Sequence, residues 1–213
     1  MRHALDFVLV TLVLTDLVLL GSSRLTACIR LVAAQGVLLA FLPLALTWPE
    51  LEVAAMALAA STLLVKGVAF PLVLERAMRD ARARREIEPF VGYTPSLLVG
   101  LGMLGAGTWL ADRLSADVVR SPLMVPVALS MILTGLFFVI SRKKAVSQVL
   151  GYLVLENGTY VLGISLLSET PFLVELGMLL DVFVAVFVMG IAIFQINREF
   201  DHIDVDQLDS LKG

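Results

Sequence analysis

Polar and charged positions in this chain of 213 residues fall in short clusters, separated by apolar runs of about 17–26 residues. A helix that crosses the hydrocarbon core of a bilayer needs runs of that length. Seven such runs are expected as spanning helices, at roughly 4–21, 25–46, 50–75, 91–111, 122–140, 145–167 and 171–196. In lipid an open strand edge leaves backbone groups unpaired, so every span is expected as helix. The expected fold class is therefore all-α, a polytopic membrane protein. The first run, Ala4–Leu20, lacks a basic stretch beyond Arg2, and no small-residue cleavage site precedes a soluble domain. It is expected as the first span and not as a cleaved leader.

Composition agrees with this picture. Hydrophobic residues make up 59% of the chain and charged residues only 16%, against about 25% in an ordinary soluble domain. The net charge of −3 is less informative than where the charges stand. With the N-terminus outside, the inner segments hold Arg24, Arg76, Arg79, Arg82, Arg84, Arg85, Arg142, Lys143, Lys144, Arg198 and Lys212. The outer segments then hold only Arg2, Arg113 and Arg120. The outer turns at Trp48–Glu52 and Ser168–Pro171 are acidic or neutral. This asymmetry predicts an N-out, C-in topology.

The same inventory excludes several chemistries. The one cysteine, Cys28, provides neither a disulfide framework nor a thiolate set for zinc or an iron–sulfur cluster, and it reads as a small buried hydrophobe. His3 and His202 lie at opposite ends of the chain. No metal site, cofactor site or redox centre is expected within the chain, and there is no phosphate loop, serine-hydrolase motif or nucleic-acid module. Any electron transfer would belong to partners, which leaves the chain's status as an enzyme open.

Ionisable groups inside the apolar runs are the candidate chemistry, because a charge at membrane depth is costly and is seldom kept without a partner or a task. Glu156 sits near the middle of the sixth run, and helical spacing puts Tyr152, Leu153, Thr159, Tyr160 and Gly163 on its face. Two phenols and a hydroxyl beside a carboxyl make a polar track suited to protons; the alternative is a hydrogen-bonded glutamate that glues helices. Asp181 sits near mid-depth in the seventh run with Gly177, Met178 and Ala185 on its face. Small residues there allow a close protein neighbour. Lys66 lies in the third run, with Thr62 and Phe70 one turn away on either side and Pro71 following. It is either a proton-exchanging amine or one half of a fixed salt bridge. Asp16 and Arg30, toward the inner ends of the first two runs, are expected as a structural ion pair, with Arg30 able to snorkel to the headgroups. Gln35 is a candidate polar relay. Glu50, Glu52 and Glu175 are expected near the outer surface.

The basic stretch 76–88 is expected either to anchor on anionic lipid or to dock a soluble partner. The acidic tail 197–213 is expected to lie along a protein. A parallel repeat is one reading of the chain, since Pro49 and Pro171, and Arg76 and Arg198, share an offset of 122. The other reading is that inner ends attract arginine and helix starts attract proline.

Three stretches carry a family resemblance: Arg142-Lys143-Lys144 followed by GYLVLENG, then LLDVFVAVFV with Asp181, then the ending HIDVDQLDSLKG. They resemble hydrogenase-4 component E, a membrane subunit of group 4 nickel–iron hydrogenases and formate hydrogenlyase-type complexes. The part from about 118 to 213 is also similar to the K subunit of respiratory complex I, with Glu156 and Asp181 standing for that subunit's two carboxylates. Glu156 falls one helical turn beyond the family's first glutamate, where this chain has Leu153, and the second acid is aspartate here. The apolar runs divide the chain into an expected three-helix unit with a basic cytoplasmic segment (1–89) and an intervening helix and outer loop (90–117), and the resemblance implies that the rest is a K-subunit-like three-helix unit with a cytoplasmic tail (118–213). It implies a lateral proton path that serves redox chemistry elsewhere in the complex, with Glu156 and Asp181 as its carboxyls; the reading of the buried charges adds Lys66 as an amine on the same axis and Tyr152, Thr159 and Tyr160 as hydrogen-bond bridges. The implied partners are connecting and antiporter-like membrane subunits, a soluble hydrogenase arm at the cytoplasmic loop or tail, and lipids of a prokaryotic inner membrane. A structural scaffold without proton transfer, and a subunit of a multi-subunit cation/proton antiporter, remain the alternatives.

Overall fold

A computed structural model describes residues 2–50, 52–80, 90–113 and 121–166. The run 171–196 with Asp181, the tail and most of the Arg-rich stretch lie outside the described residues. Those described are helical almost throughout: α1 (Arg2–Gly21), α2 (Leu25–Thr47), α3 (Val53–Thr62), a π-helical segment (Leu63–Ala69), α4 (Phe70–Asp80), α5 (Tyr93–Ala111), α6 (Met124–Ser141) and α7 (Ala145–Leu166). Among them, five helical stretches are long and apolar enough to cross a membrane. α7 adds 22 residues. The chain is an integral membrane protein.

The third apolar run forms one continuous rod, α3–π–α4, with a local change of register. Pro71 supplies a physical reason. In an α-helix its ring would crowd the carbonyl of Gly67, and it has no N–H to offer that carbonyl. The wider turn just before it shifts the hydrogen bonds, and the Phe70 N–H reaches back to the Val65 carbonyl. Such single wide turns add a residue locally and re-aim the side chains they carry. Lys66 is one of those side chains.

α1, α2, α6 and α7 form the centre. α2 touches α1, the α3–π–α4 rod and α7, while α6 touches α1, α5 and α7. The α6–α7 contact is the most extensive, because glycines let the two backbones meet. A Cβ on Gly135 would collide with the Leu155 nitrogen, and one on Gly151 would lie 2.7 Å from the Val139 nitrogen. A Cβ on Gly158 would lie 2.8 Å from the Ala128 carbonyl oxygen. Without a hydrophobic drive between helices in lipid, close backbone packing of this kind holds spans together.

Two apolar clusters fill the interior. One contains Leu19, Leu20, Ile29, Phe138, Leu150 and Val154. The other contains Leu9, Leu12, Leu39, Met124, Met131 and Val161. On α1, α2 and α7 the polar residues fall between these contributions: Asp16 between Leu12 and Leu19, Gln35 between Val32 and Leu39, and Glu156-Asn157 between Val154 and Val161. The exposed surface is apolar, with Phe7, Leu14, Phe41, Leu64, Leu98 and Trp109 facing outward. The molecule is therefore apolar outside and carries a polar layer inside.

At one end Arg142 turns inward and does not reach for solvent. Its guanidinium donates to the Leu20 carbonyl at 2.8 Å and lies against the rings of Tyr93 and Phe138. It thus occupies one of the carbonyls that the C-terminus of α1 leaves without an intrahelical partner.

Gly158→Val is expected to destabilise the detergent-solubilised protein by at least about 1–3 kcal/mol through overpacking. Gly102→Ala, where a new Cβ meets nothing within 4 Å, is expected to leave stability unchanged. Thermal unfolding of the two variants checks both.

Candidate functional site

Lys66 and Glu156 meet at the centre of the polar layer. The Lys66 ammonium donates to Glu156 Oε1 at 2.8 Å, with the side chains only 5% and 3% exposed. The wide turn of the rod brings Lys66 there, and α2 makes room for it. A Cβ at Gly36 would lie 2.6–2.8 Å from Lys66 backbone and Cβ atoms, so only glycine at that position lets the turn press against α2. Lys66 Nζ also stands 5.2 Å above the Tyr160 ring centroid and 3.4 Å from Asn157 Oδ1. The Tyr160 hydroxyl shares a 3.1 Å hydrogen bond with Thr62.

From Asn157 the hydrogen bonds continue across the bundle. Asn157 Nδ2 donates to Gln35 Oε1 at 3.2 Å. Gln35 Nε2 donates to Asp16 Oδ1 at 2.7 Å and to Thr15 Oγ1 at 3.0 Å. Asp16, Gln35, Lys66, Glu156 and Asn157 are all buried. They come from four separate parts of the chain and form one connected network. Asp16 Oδ2 and Glu156 Oε2 are buried with no hydrogen-bond partner among the described residues.

Among the sequence-expected residues, the structure brings together Lys66, Glu156, Tyr160 and the candidate relay Gln35. Thr159 is exposed, and its hydroxyl is turned back to the Leu155 carbonyl at 3.0 Å. Tyr152 is half-buried one turn away, against the apolar cluster around Leu19 and Leu150. Helical geometry accounts for this. At about 100° per residue, Tyr160 and Asn157 lie to one side of Glu156, whereas Thr159 and Tyr152 lie to the other. The expected ion pair between Asp16 and Arg30 is not formed. Asp16 faces Gln35, while Arg30 is exposed on another side of α2. Asp181 lies outside the described residues.

Asn157, Thr62 and Gly36 belong to the site although sequence reasoning did not select them. A signal existed for Asn157: a primary amide in the middle of an apolar helix needs partners as a charge does. Gly36 carried no signal of its own, because its role is set by the rod packed against it. No cluster of ligating side chains fit for a metal occurs among the described residues.

Chemically, the site sets an amine against a carboxyl in an apolar interior, and each of these groups is able to bind a proton. A buried ion pair contributes little net stability, but removing one partner is costly. Lys66→Met is therefore expected to destabilise the protein by about 3–5 kcal/mol, as uncompensated buried charges do. The double variant Lys66→Met/Glu156→Gln is expected to recover most of that loss. Unfolding measurements on the single and double variants check the coupling.

The chain is 33% identical to the uncharacterized protein Rv0085 of Mycobacterium tuberculosis, over 97% of this chain and 95% of that protein. It is 30% identical to hydrogenase-4 component E of Escherichia coli over 164 residues, 72% of this chain and 72% of the relative. The component E of Shigella flexneri matches to the same extent. No family model and no solved structure matches the chain.

Proposed function

The chain belongs to the hydrogenase-4 component E family, and from that premise we propose that it is a membrane-arm subunit of a complex I-related hydrogenase assembly of the formate hydrogenlyase type. In that assembly it contributes one segment of a lateral proton path that is coupled to redox chemistry in partner subunits. The observation that carries this reading is the buried Lys66–Glu156 pair. It is a charged couple in the interior of an apolar bundle, with one carboxylate oxygen paired and the other buried without a hydrogen-bond partner among the described residues.

The pair works by exchange of partners. With Glu156 ionised, Lys66 is held against Oε1. A proton arriving at Oε2 from a neighbouring subunit neutralises the carboxylate and releases the ammonium. Lys66 then has a second place to go, toward Asn157 Oδ1 and the Tyr160 ring. Thr62 fixes the Tyr160 hydroxyl, so the aromatic face stays in position to receive the cation. A change of about 1.4 kcal/mol in the field at Glu156 alters its proton occupancy ratio tenfold. Modest movement in a neighbouring subunit is enough to load or unload it. Asp181, the second carboxyl in the K-subunit resemblance, is the proposed continuation of the path.

Connecting and antiporter-like subunits are the proposed neighbours in a prokaryotic inner membrane, with N-out, C-in topology. The proposed division into two three-helix units gains support from Gln35-Gly36 on α2 and Asn157-Gly158 on α7. They stand at the same offset of 122 as the paired prolines and arginines, and the two amides touch.

The decisive experiment is Glu156→Gln in the native complex reconstituted in sealed vesicles. The introduced amide oxygen still accepts from Lys66, so the expected outcome is an assembled complex, less stable than the parent, with a collapse of proton uptake per redox turnover. Normal coupling, or a loss of assembly alone, would move the chain to the scaffold class.

A further inference from the structure

The network holds an acid that the Lys66–Glu156 exchange does not use. Asp16 is buried, receives a hydrogen bond at Oδ1 from Gln35, and keeps Oδ2 without a partner among the described residues. Among the described residues its surroundings contain little else that is charged. Of the elements packed against α1, α6 has no titratable side chain within Met124–Ser141 and α5 has only Tyr93. α2 carries Cys28 and the outward-turned Arg30.

The link between Asp16 and Lys66 is directional. Lys66 Nζ donates to Asn157 Oδ1, Asn157 Nδ2 to Gln35 Oε1, and Gln35 Nε2 to Asp16 Oδ1. The chain begins at a group that only donates and ends at an oxygen that accepts. Turning either amide over would set donor against donor. Aligned dipoles of this kind strengthen one another and carry the field of the ammonium to the far carboxyl.

Charge counting then bears on both acids. Among the described residues the network contains two carboxyls, Asp16 and Glu156, and one ammonium, Lys66. Fully ionised it would carry a net negative charge in an apolar surrounding, which is costly. One additional proton makes it neutral, and that proton has two places to sit, Asp16 Oδ2 and Glu156 Oε2.

We infer that Asp16 is the second proton-holding group of this site and that it exchanges in opposition to Glu156. This rests on the proton-path reading above and extends it to α1. In one state Asp16 is a carboxylic acid and the ammonium pairs with the Glu156 carboxylate. When a proton bonds to Glu156 Oε2, the O–H bond at Asp16 Oδ2 breaks and that proton passes to a basic group of a neighbouring subunit, directly or through a water. Asp16 becomes the carboxylate at the end of the amide chain. One proton enters, one departs, and the net charge stays at zero. Asp16 lies five residues, roughly 7–8 Å, before the end of α1, and Glu156 lies eleven residues, roughly 16 Å, beyond the start of α7. Arg142 joins these two helix ends. The two carboxyls thus stand at different depths, and the exchange displaces charge along the bundle axis toward the Arg142 end.

The test uses the assembled complex in sealed vesicles, with Asp16→Asn, Asp16→Glu and Glu156→Gln side by side. Assembly, redox turnover, proton uptake and the infrared signal of protonated carboxyls are read together. Asp16→Asn keeps the oxygen that accepts from Gln35. The expected result is that it assembles, loses proton uptake per turnover, and loses a protonated-carboxyl band that responds to Glu156→Gln; Asp16→Glu restores both. If Asp16→Asn couples normally while Glu156→Gln does not, the Asp16 role is overturned and the proton-path reading stands. If neither variant uncouples, both fall. Should Asp16→Asn not assemble, Gln35→Met decides, since it keeps the carboxyl and cuts the amide chain. Lost coupling with the carboxyl band retained supports the inference, and unchanged coupling overturns it.

Discussion

A lysine and a glutamate held 2.8 Å apart inside an apolar bundle impose conditions on everything around them. Removing two charges from water costs several kcal/mol per ion, and their attraction offsets this only when the geometry is good and further hydrogen bonds are present. Four helical elements meet those conditions together. The rod brings the ammonium, α7 brings the carboxylate with its neighbouring amide and phenol, α2 brings Gln35, and α1 brings Asp16. Apolar clusters lie on either side of the layer.

Close approach makes this arrangement possible. Gly36 admits the wide turn that carries Lys66, and Gly135, Gly151 and Gly158 let α6 and α7 meet backbone to backbone. A register change next to Pro71 and a few missing Cβ atoms thereby become a defined position for one ammonium group.

The family relationship and the geometry bear on different questions. Similarity to hydrogenase-4 component E says what kind of membrane protein this is. The geometry places in one layer a lysine–glutamate pair, an aromatic ring facing the ammonium, and two amides that lead to Asp16.

Much of this was legible along the chain. Long apolar runs determine helices in lipid, because no other spanning backbone satisfies its own hydrogen bonds. Glu156 and Lys66 stood out because a charge amid apolar residues has few inexpensive explanations. Helical periodicity narrowed their neighbours to a face, but a face is broad. It admitted Thr159 and Tyr152 as readily as Tyr160, and only the packing of the rod and α2 against α7 chose between them. Periodicity was also silent on partners distant in sequence. Asn157 reaches Gln35 across 122 positions and Lys66 across 91, and Asp16 turns to Gln35 and not to Arg30. The sequence by itself determined which side chains cannot be left alone in a membrane. The tertiary structure decided which of them meet, because that depends on where glycines and a re-registered turn let helices from different parts of the chain touch.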